Sequence, residues 1–519
     1  MSISEIQVHY KPMSAKTLSQ LLDGLHGCRV KGHDCLPISG IAYHSQEVTP
    51  GCVFVAISGH KTDGRRFIAQ ALAKGARAIV CETDLTLPEG ATLVQVPHAR
   101  LALAHLSAAF YDHPSRELVL VGITGTNGKT TTTFLLEAIL TAAGCKVGVL
   151  GTVNYRMGQR VWPAPVTTPE SLDLNRYLRE MRREGATHAL LEVSSHALVL
   201  KRVDRVSFAA GIFTNLSQDH LDYHKDLDAY FAAKSRLFTE ILRNGHGSSP
   251  GLAVLNLDDP RGQELQQVVR GPIITFGRHP QSQVRPLATR FHREGLEARL
   301  VTPQGELKIT SKLVGTYNLS NILAACAAAL GLEVNREAIV QGVASLPGVP
   351  GRLERFGPPG GPHVFVDYAH TPEALASVLA ALRNLKFARL LTVFGCGGDR
   401  DRGKRPLMGQ AAAAASDLII LTSDNPRSED PLAIIREIER GLEAVGFPLL
   451  SLAAARRGER GYLIMPDRRE AIRLAVQLAA PGDGVLIAGK GHEDYQIIGQ
   501  ERRHFDDREE VQEALKRRS

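Results

Sequence analysis

One stretch narrows the possible folds more than any other: residues 118–133, LVLVGITGTNGKTTTT. Leu118–Val121 is a short apolar run of the kind that makes a strand buried on both faces of a parallel sheet. It runs into a glycine-rich turn, and Thr130–Ala142 behind the turn reads as a helix. In a strand, loop and helix so arranged, backbone N–H groups of the turn and of the helix N-terminus converge on one point and attract phosphate. Lys129 is placed to neutralise β and γ charge, and the Thr130 hydroxyl to sit on Mg²⁺. The longer G-x-x-x-x-G-K-[ST] spacing is not met from Gly122, because position 127 is Asn. The loop is a shorter G-T-N-G-K-T form built on Gly125, Gly128 and Lys129.

At 519 residues the chain is too long for one core, and about 150 residues per domain gives roughly three. Charged residues at 22% and hydrophobic ones at 44% suit a globular protein with large cores and argue against long disordered spans. The net charge of +7 is spread along the chain, with no basic block and no interleaved aromatic platform, so a cleft for anionic small molecules is favoured over nucleic acid. Seven scattered cysteines with no C-x-x-C pair and no His at metal-ligand spacing predict reduced thiols in a cytoplasmic protein. The first residues lack an apolar signal region, and no apolar run is long enough to span a bilayer.

Residues 1–116 read as a small α/β domain, with strands at Cys52–Ile57 and Ala78–Cys81 and a helix at Arg66–Lys74. Residues 41–64 gather Gly, Ser, His and Lys around a short strand, as a polar loop at a sheet edge also would. Over 117–346, apolar runs end in polar residues: Ala189–Leu191 before Glu192-Val-Ser-Ser-His196, and Ala209–Phe213 before Thr214-Asn215-Leu-Ser-Gln-Asp219-His220. Helices expected at Ser171–Glu184 and Leu227–Ile241 complete βαβ spacing, and ligands of open parallel sheets bind at the carboxyl ends of strands. Glu192 and His220 are therefore expected beside Lys129, where they suit a nucleotide-bound Mg²⁺. Lys234 looks by composition like a plain helix-face lysine.

Turn-rich segments at Leu346–Gly351 and Gly357–Pro362 mark a boundary, and 347–519 repeats the grammar as a Rossmann-like third domain. Its strands His363–Val366, Leu390–Phe394, Leu418–Leu421 and Val485–Ala488 run into Asp367-Tyr-Ala-His370, Gly395–Arg400, Thr422–Arg427 and Gly489–Glu493. Arg400 and Arg427 are forks suited to a carboxylate, while Asp424 and Glu493 accept from an ammonium, a set that fits a zwitterionic amino acid.

Six ordered motifs, Thr124–Thr130, Glu192–His196, Asn215–Asp222, Tyr317–Asn321, Gly351–Glu354 and Asp367–Pro372, make nearly the whole chain resemble the Mur ligases, the ATP-dependent amino-acid-adding enzymes of peptidoglycan precursor synthesis. The branch of that family that uses meso-diaminopimelate carries Asp-Asn-Pro-Arg, here Asp424 to Arg427. The resemblance implies three α/β domains: a small N-terminal one, a central phosphate-loop ATPase with a mostly parallel sheet, and a C-terminal Rossmann-like one. It implies a monomer whose substrates are ATP, a UDP-linked muramoyl dipeptide and meso-diaminopimelate, joined through an acyl phosphate.

Carried over residue by residue, the resemblance implies ATP contacts at Gly125, Thr126, Asn127, Gly128, Lys129, Thr130 and Thr131, with Asn318, Asn321, Arg352 and Asp367 around the adenosine. Catalysis falls to Lys129, Glu192, His220 and a carbamylated Lys234, and Mg²⁺ to Thr130, Glu192, His220 and Lys234. Tyr43, Ser45, His60, Lys61 and Thr62 are implied around the uridine nucleotide, and Thr167, Thr168, Ser194 and Arg202 on the muramoyl peptide. Arg400, Asp424, Asn425, Pro426, Arg427, Gly489 and Glu493 are implied for the amino acid. The chain departs from the family with His44-Ser45-Gln46 where an Asp-Ser-Arg triplet is frequent, and with Leu200 at a position that is polar in some members. Three competing readings are the same ligase using L-lysine, folylpolyglutamate synthesis, and a phosphate-loop switch that regulates a partner.

Overall fold

The computed structural model describes residues 16–59, 63–219, 223–245, 249–358 and 360–518. By contact density the chain forms two compact units, one of residues 1–283 with 324–335 and one of 284–323 with 336–519.

The first unit is built on two main sheets, beside a two-stranded one of Lys16–Thr17 and Pro37–Ile38. The smaller has five strands in the order Arg29–Lys31, Thr92–Gln95, Ala78–Cys81, Val53–Val55 and Ile41–Ala42, parallel except at its first pair. The larger has eight, in the order Arg160–Trp162, Tyr155–Met157, Val147–Leu150, His188–Glu192, Val119–Thr124, Ala210–Phe213, Leu252–Asn256 and Ile273–Phe276. The last six run parallel, and a hairpin unforeseen in the sequence adds the antiparallel first two. Leu120, Val121 and Ile123 are wholly buried, as expected of a central parallel strand covered on both faces. Each such side chain contributes about 1.5–3 kcal/mol of burial.

The helix Ser171–Arg183 ties the two sheets together. Its Arg179 guanidinium donates to the carbonyls of Tyr111 and Asp112 at 2.8 Å and to Glu117 at 2.8 Å, and its Asp173 accepts from the Tyr43 hydroxyl at 2.7 Å. The helix expected to reach Ile241 ends its α-helical part at Arg236 and continues as a π-helical turn over Leu237–Ile241.

The second unit contains a six-stranded sheet in the order Glu354–Phe356, His363–Asp367, Gly484–Ala488, Leu390–Phe394, Leu418–Leu421 and Gly461–Ile464, parallel after its first pair. It also holds a three-stranded antiparallel sheet, Arg285–His292, Gly295–Thr302 and Gly305–Ser311, which the sequence reading missed. All seven cysteines are free thiols.

Candidate active site

Register places the loops of the first unit. Glu192 pairs with Ile123 and Phe213 with Thr124, so the three strands end level and their loops share one edge. Gly125, at φ +147°, leaves its strand in a conformation open only to glycine, and Gly128, at φ +86°, begins the helix Lys129–Ala142. The Lys129 ammonium donates to the carbonyls of Gly125 and Thr126, both at 2.8 Å, so it already lies over the turn. The Asn215 side chain accepts from Asn127 N–H at 2.9 Å, and the Asn215 carbonyl accepts from Thr126 N–H at 2.9 Å. Thr214 Oγ1 donates to the Asn127 carbonyl at 2.6 Å. The neighbouring loop thus clamps the phosphate turn from the side.

Glu192 is 1% exposed and sits at the centre of a hydroxyl cluster. Its carboxylate accepts from Thr130 Oγ1 at 3.1 Å, from Thr152 Oγ1 at 2.7 Å and from Thr152 N–H at 3.2 Å. A Cβ at Gly151 would come within 2.5 Å of the same carboxylate, so a side chain there would displace it. The Thr152 hydroxyl lies 3.2 Å from that of Thr167. Thr168 Oγ1 donates to the Glu192 carbonyl at 2.8 Å and accepts from Ser194 N–H at 3.0 Å, and Arg202 donates to the Thr168 carbonyl at 3.0 Å. Neither Thr152 nor Asn215 was given a role from the sequence, though Asn215 opens one of the six motifs and Thr152 lies just past an apolar run, Val147–Leu150, as the chosen residues do.

Lys234 corrects its composition-based reading as a helix-face lysine. It is 1% exposed, with its ammonium 2.9 Å from the Gly125 carbonyl and 4.5 Å from the Tyr230 ring centroid. Burial, aided by Lys129, pushes its pKa well below that of an ordinary lysine, which favours the neutral amine. The oxygen donors Thr130 Oγ1 and Glu192, both hard and adjacent, fit Mg²⁺. His220 lies outside the described residues, as do His60, Lys61 and Thr62. Of the other residues implied for the uridine nucleotide, Tyr43 bonds Asp173, and Ser45 is buried with its hydroxyl 2.8 Å from Gln70.

In the second unit, Asn318 and Asn321 occupy the first turns of the helix Thr316–Gly331 and bond to each other at 3.0 Å. Asp367 accepts from the N–H groups of Leu353 at 2.7 Å and Ala369 at 2.8 Å; burial raises its pKa, and nearby Arg352 opposes the rise. The Arg352 guanidinium lies 4.6 Å from the Tyr368 ring centroid.

Arg400 and Arg427 converge on Gly397: a Cβ there would lie 3.0 Å from the Arg427 guanidinium and 3.7 Å from Arg400 Cγ. Arg427 is held in the left-handed region, at φ +52°, by Arg427 N–H donating to the Ile497 carbonyl at 3.1 Å and Gly499 N–H donating to the Arg427 carbonyl at 2.7 Å. Its guanidinium donates to the Gly398 carbonyl at 2.7 Å. Holding a bulky residue there costs on the order of 1–3 kcal/mol, so the hairpin Tyr495–Ile498 and Glu501–His504 fixes where the fork points. The Asn425 side chain donates to Glu493 at 3.1 Å, and a Cβ on Gly489, which has φ +117°, would lie 2.6 Å from Asp424.

A phosphate loop on one parallel sheet and a second parallel sheet with charged loops at its carboxyl edge define a class of nucleotide-using α/β proteins. Three family models match this chain in order: the Mur ligase family catalytic domain at residues 37–111, the Mur ligase middle domain at 123–329, and the Mur ligase glutamate ligase domain at 351–491. The chain is 48% identical over 487 residues, 93% of its length and 95% of the other, to a protein of Geobacter metallireducens named UDP-N-acetylmuramoyl-L-alanyl-D-glutamate–2,6-diaminopimelate ligase. It is 45% identical to the protein of that name in Geobacter sulfurreducens, over 97% of this chain and 99% of the other. A solved structure of a ligase of that name superposes with a TM-score of 0.70 at 33% identity, covering 97% of this chain and 99% of the other. The chain belongs to the Mur ligase family, whose members form amide bonds at the expense of ATP.

Proposed function

We propose that the protein joins meso-diaminopimelate to the D-glutamyl carboxylate of UDP-N-acetylmuramoyl-L-alanyl-D-glutamate, a cytoplasmic step of peptidoglycan precursor synthesis that a monomer carries out without nucleic acid. The division of labour follows three segments: 1–116 for the uridine nucleotide, 117–346 for ATP, and 347–519 for the amino acid. The observation that carries the choice of amino acid is Arg427, fixed in a strained backbone conformation beside Arg400 and close in sequence to Asp424. A distal zwitterion offers that group a carboxylate and an ammonium, whereas the lysine side chain ends in an ammonium alone.

Lys129 and the N–H groups of residues 125–131 hold the β and γ phosphates, and Asn318, Asn321, Arg352 and Asp367 hold the adenosine. A glutamyl oxygen attacks the γ phosphorus, the bond to the bridging oxygen breaks, and ADP leaves. The diaminopimelate amine then attacks the acyl carbon, loses a proton and expels phosphate. Lys129 and the loop N–H groups stabilise the charge that develops on phosphoryl and tetrahedral oxygens. Thr167, Thr168, Ser194 and Arg202 orient the muramoyl peptide, and Tyr43, Ser45, His60, Lys61 and Thr62 meet the uridine nucleotide. Thr130, Glu192, His220 and a carbamylated Lys234 would hold Mg²⁺, which supplies counter-charge to the phosphates.

The test is phosphate release from ATP with the UDP-linked dipeptide and either meso-diaminopimelate, L-lysine or no amino acid. Release with diaminopimelate alone is expected. Release with lysine would overturn the specificity, and release independent of both would overturn the ligase reading.

A further inference from the structure

Lys490 is fully buried in the second unit, in a loop whose neighbours Gly489 and Glu493 carry proposed roles while it carries none. Its ammonium lies 3.3 Å from Asn425 Oδ1, 3.5 Å from Glu493 and 4.0 Å from Asp424. It therefore sits behind both carboxylates that face the amino acid, whose side chains remain 10% exposed at Asp424 and 20% at Glu493. Asn425 links the set, since it also donates to Glu493 at 3.1 Å and accepts from Ile497 N–H at 2.9 Å.

The groups packed around this trio are accounted for. Arg468 is saturated by Asp507, both wholly buried and 2.7 Å apart, and it also donates to the Ala488 carbonyl at 2.9 Å. From the hairpin, the Tyr495 ring centroid is 5.4 Å from the Lys490 ammonium, and Arg502 lies 3.9 Å over the same ring. Tyr368 carries Arg352 on its face, and burial and Glu493 both raise its pKa. In the buried cluster three carboxylates, Asp424, Glu493 and Asp507, face two cations, Lys490 and Arg468, which leaves one negative charge. Burial of an uncompensated charge is costly, so such a cluster is completed by a single incoming cation.

We propose that Lys490 is a positioning residue that holds the Glu493 carboxylate beside Asp424, so that the two present a pair of acceptors to the distal ammonium of the substrate. The proposal rests on the diaminopimelate reading. Burial and Asp424 drive the Glu493 carboxyl upward in pKa, and Lys490, helped by the Asn425 hydrogen bond, opposes them. Without Lys490, the Glu493 carboxyl rises further in pKa and protonates more readily, which weakens one acceptor for the ammonium; raising the pH restores it.

The experiment measures KM and kcat for diaminopimelate, by phosphate release, from pH 7 to pH 9 in the native protein, K490M, K490R and E493Q. In K490M, KM is expected to rise about tenfold to a hundredfold at pH 7, with a smaller change in kcat, and to fall back as pH rises. K490R, which keeps the charge, should stay near native. A K490M defect that does not vary with pH, or a K490R as impaired as K490M, overturns the proposal. If K490M does not fold, the double variant K490M/E493Q, which keeps the net charge of the native trio, decides: a KM equal to that of E493Q supports the proposal, and a further tenfold rise overturns it. A native protein that releases no phosphate with diaminopimelate refutes the functional reading instead.

Discussion

Gly125→Ala tests the reading of the phosphate turn most directly. At φ +147° the position lies where side chains are scarcely tolerated, a strain of about 1–3 kcal/mol. The added methyl would overlap Thr214 Oγ1 and lie 3.0 Å from both the N and O of Asn215, which are backbone atoms and move only with the clamp loop. Displacing Thr214 also weakens its 2.6 Å bond to the Asn127 carbonyl, worth about 1 kcal/mol. The total is about 2–4 kcal/mol, expected as a melting temperature lower by roughly 5–10 °C and a weaker affinity for ATP. Thermal unfolding and calorimetric titration with a non-hydrolysable ATP analogue measure both. Thr214→Ala removes the overlapping hydroxyl, so G125A/T214A should lose about 1 kcal/mol less than the two single changes summed. Unchanged melting and unchanged nucleotide affinity in G125A, or strict additivity in the double variant, would refute this account of the turn.

Three further predictions concern separate parts of the molecule. Arg427→Ala should abolish most phosphate release with diaminopimelate while leaving nucleotide binding intact; equal loss of both would count against its role in gripping a carboxylate. Because Lys234 is held toward the neutral amine, the form that reacts with carbon dioxide, activity should fall in carbonate-free buffer and return with bicarbonate, and carbon-13 bicarbonate should give a carbamate resonance absent from K234A. A carbonate-independent enzyme without that resonance would remove the modification from the mechanism. Arg405, wholly buried, and the N–H of Asp399 hold the Glu429 carboxyl down from 4.5 to about 2. Its depressed pKa contributes stability that is present above about pH 4.5 and lost as pH falls toward 2. Glu429→Gln should flatten that part of an acid-unfolding curve, and an unchanged curve would show that the pair adds nothing to stability.

Much of the architecture was legible in the residues because parallel strands covered on both faces have to be apolar and their polar loops have to follow at the carboxyl ends. Leu390–Phe394 and Leu418–Leu421 were placed to the residue on that ground. The antiparallel strands between Arg285 and Ser311 escaped notice because Gly295–Thr302 and Gly305–Ser311 alternate exposed and buried positions and Arg285–His292 buries none of its residues, a weaker signal than an apolar run. Lys234 shows a different limit. Its neighbours in FAAKSRLF resemble those of many surface lysines, and only the packing of its helix against the Gly125 turn makes it a buried amine.

By itself, then, the sequence determined seven of the parallel strands of the two large sheets, where the phosphate turn lies, and which residue types stand at the ends of those strands, since these depend on local apolar patterning and on chain order. The tertiary structure alone decided the rest: that Thr152 joins Thr130 on Glu192, that Asn215 and Thr214 clamp the phosphate turn, and that Lys490 lies buried behind Asp424 and Glu493. Apart from Lys490 and Glu493, which are three residues apart, those contacts join residues 40 to 88 positions apart, and their charge and hydrogen-bond energies depend on distance and burial, which no local pattern encodes.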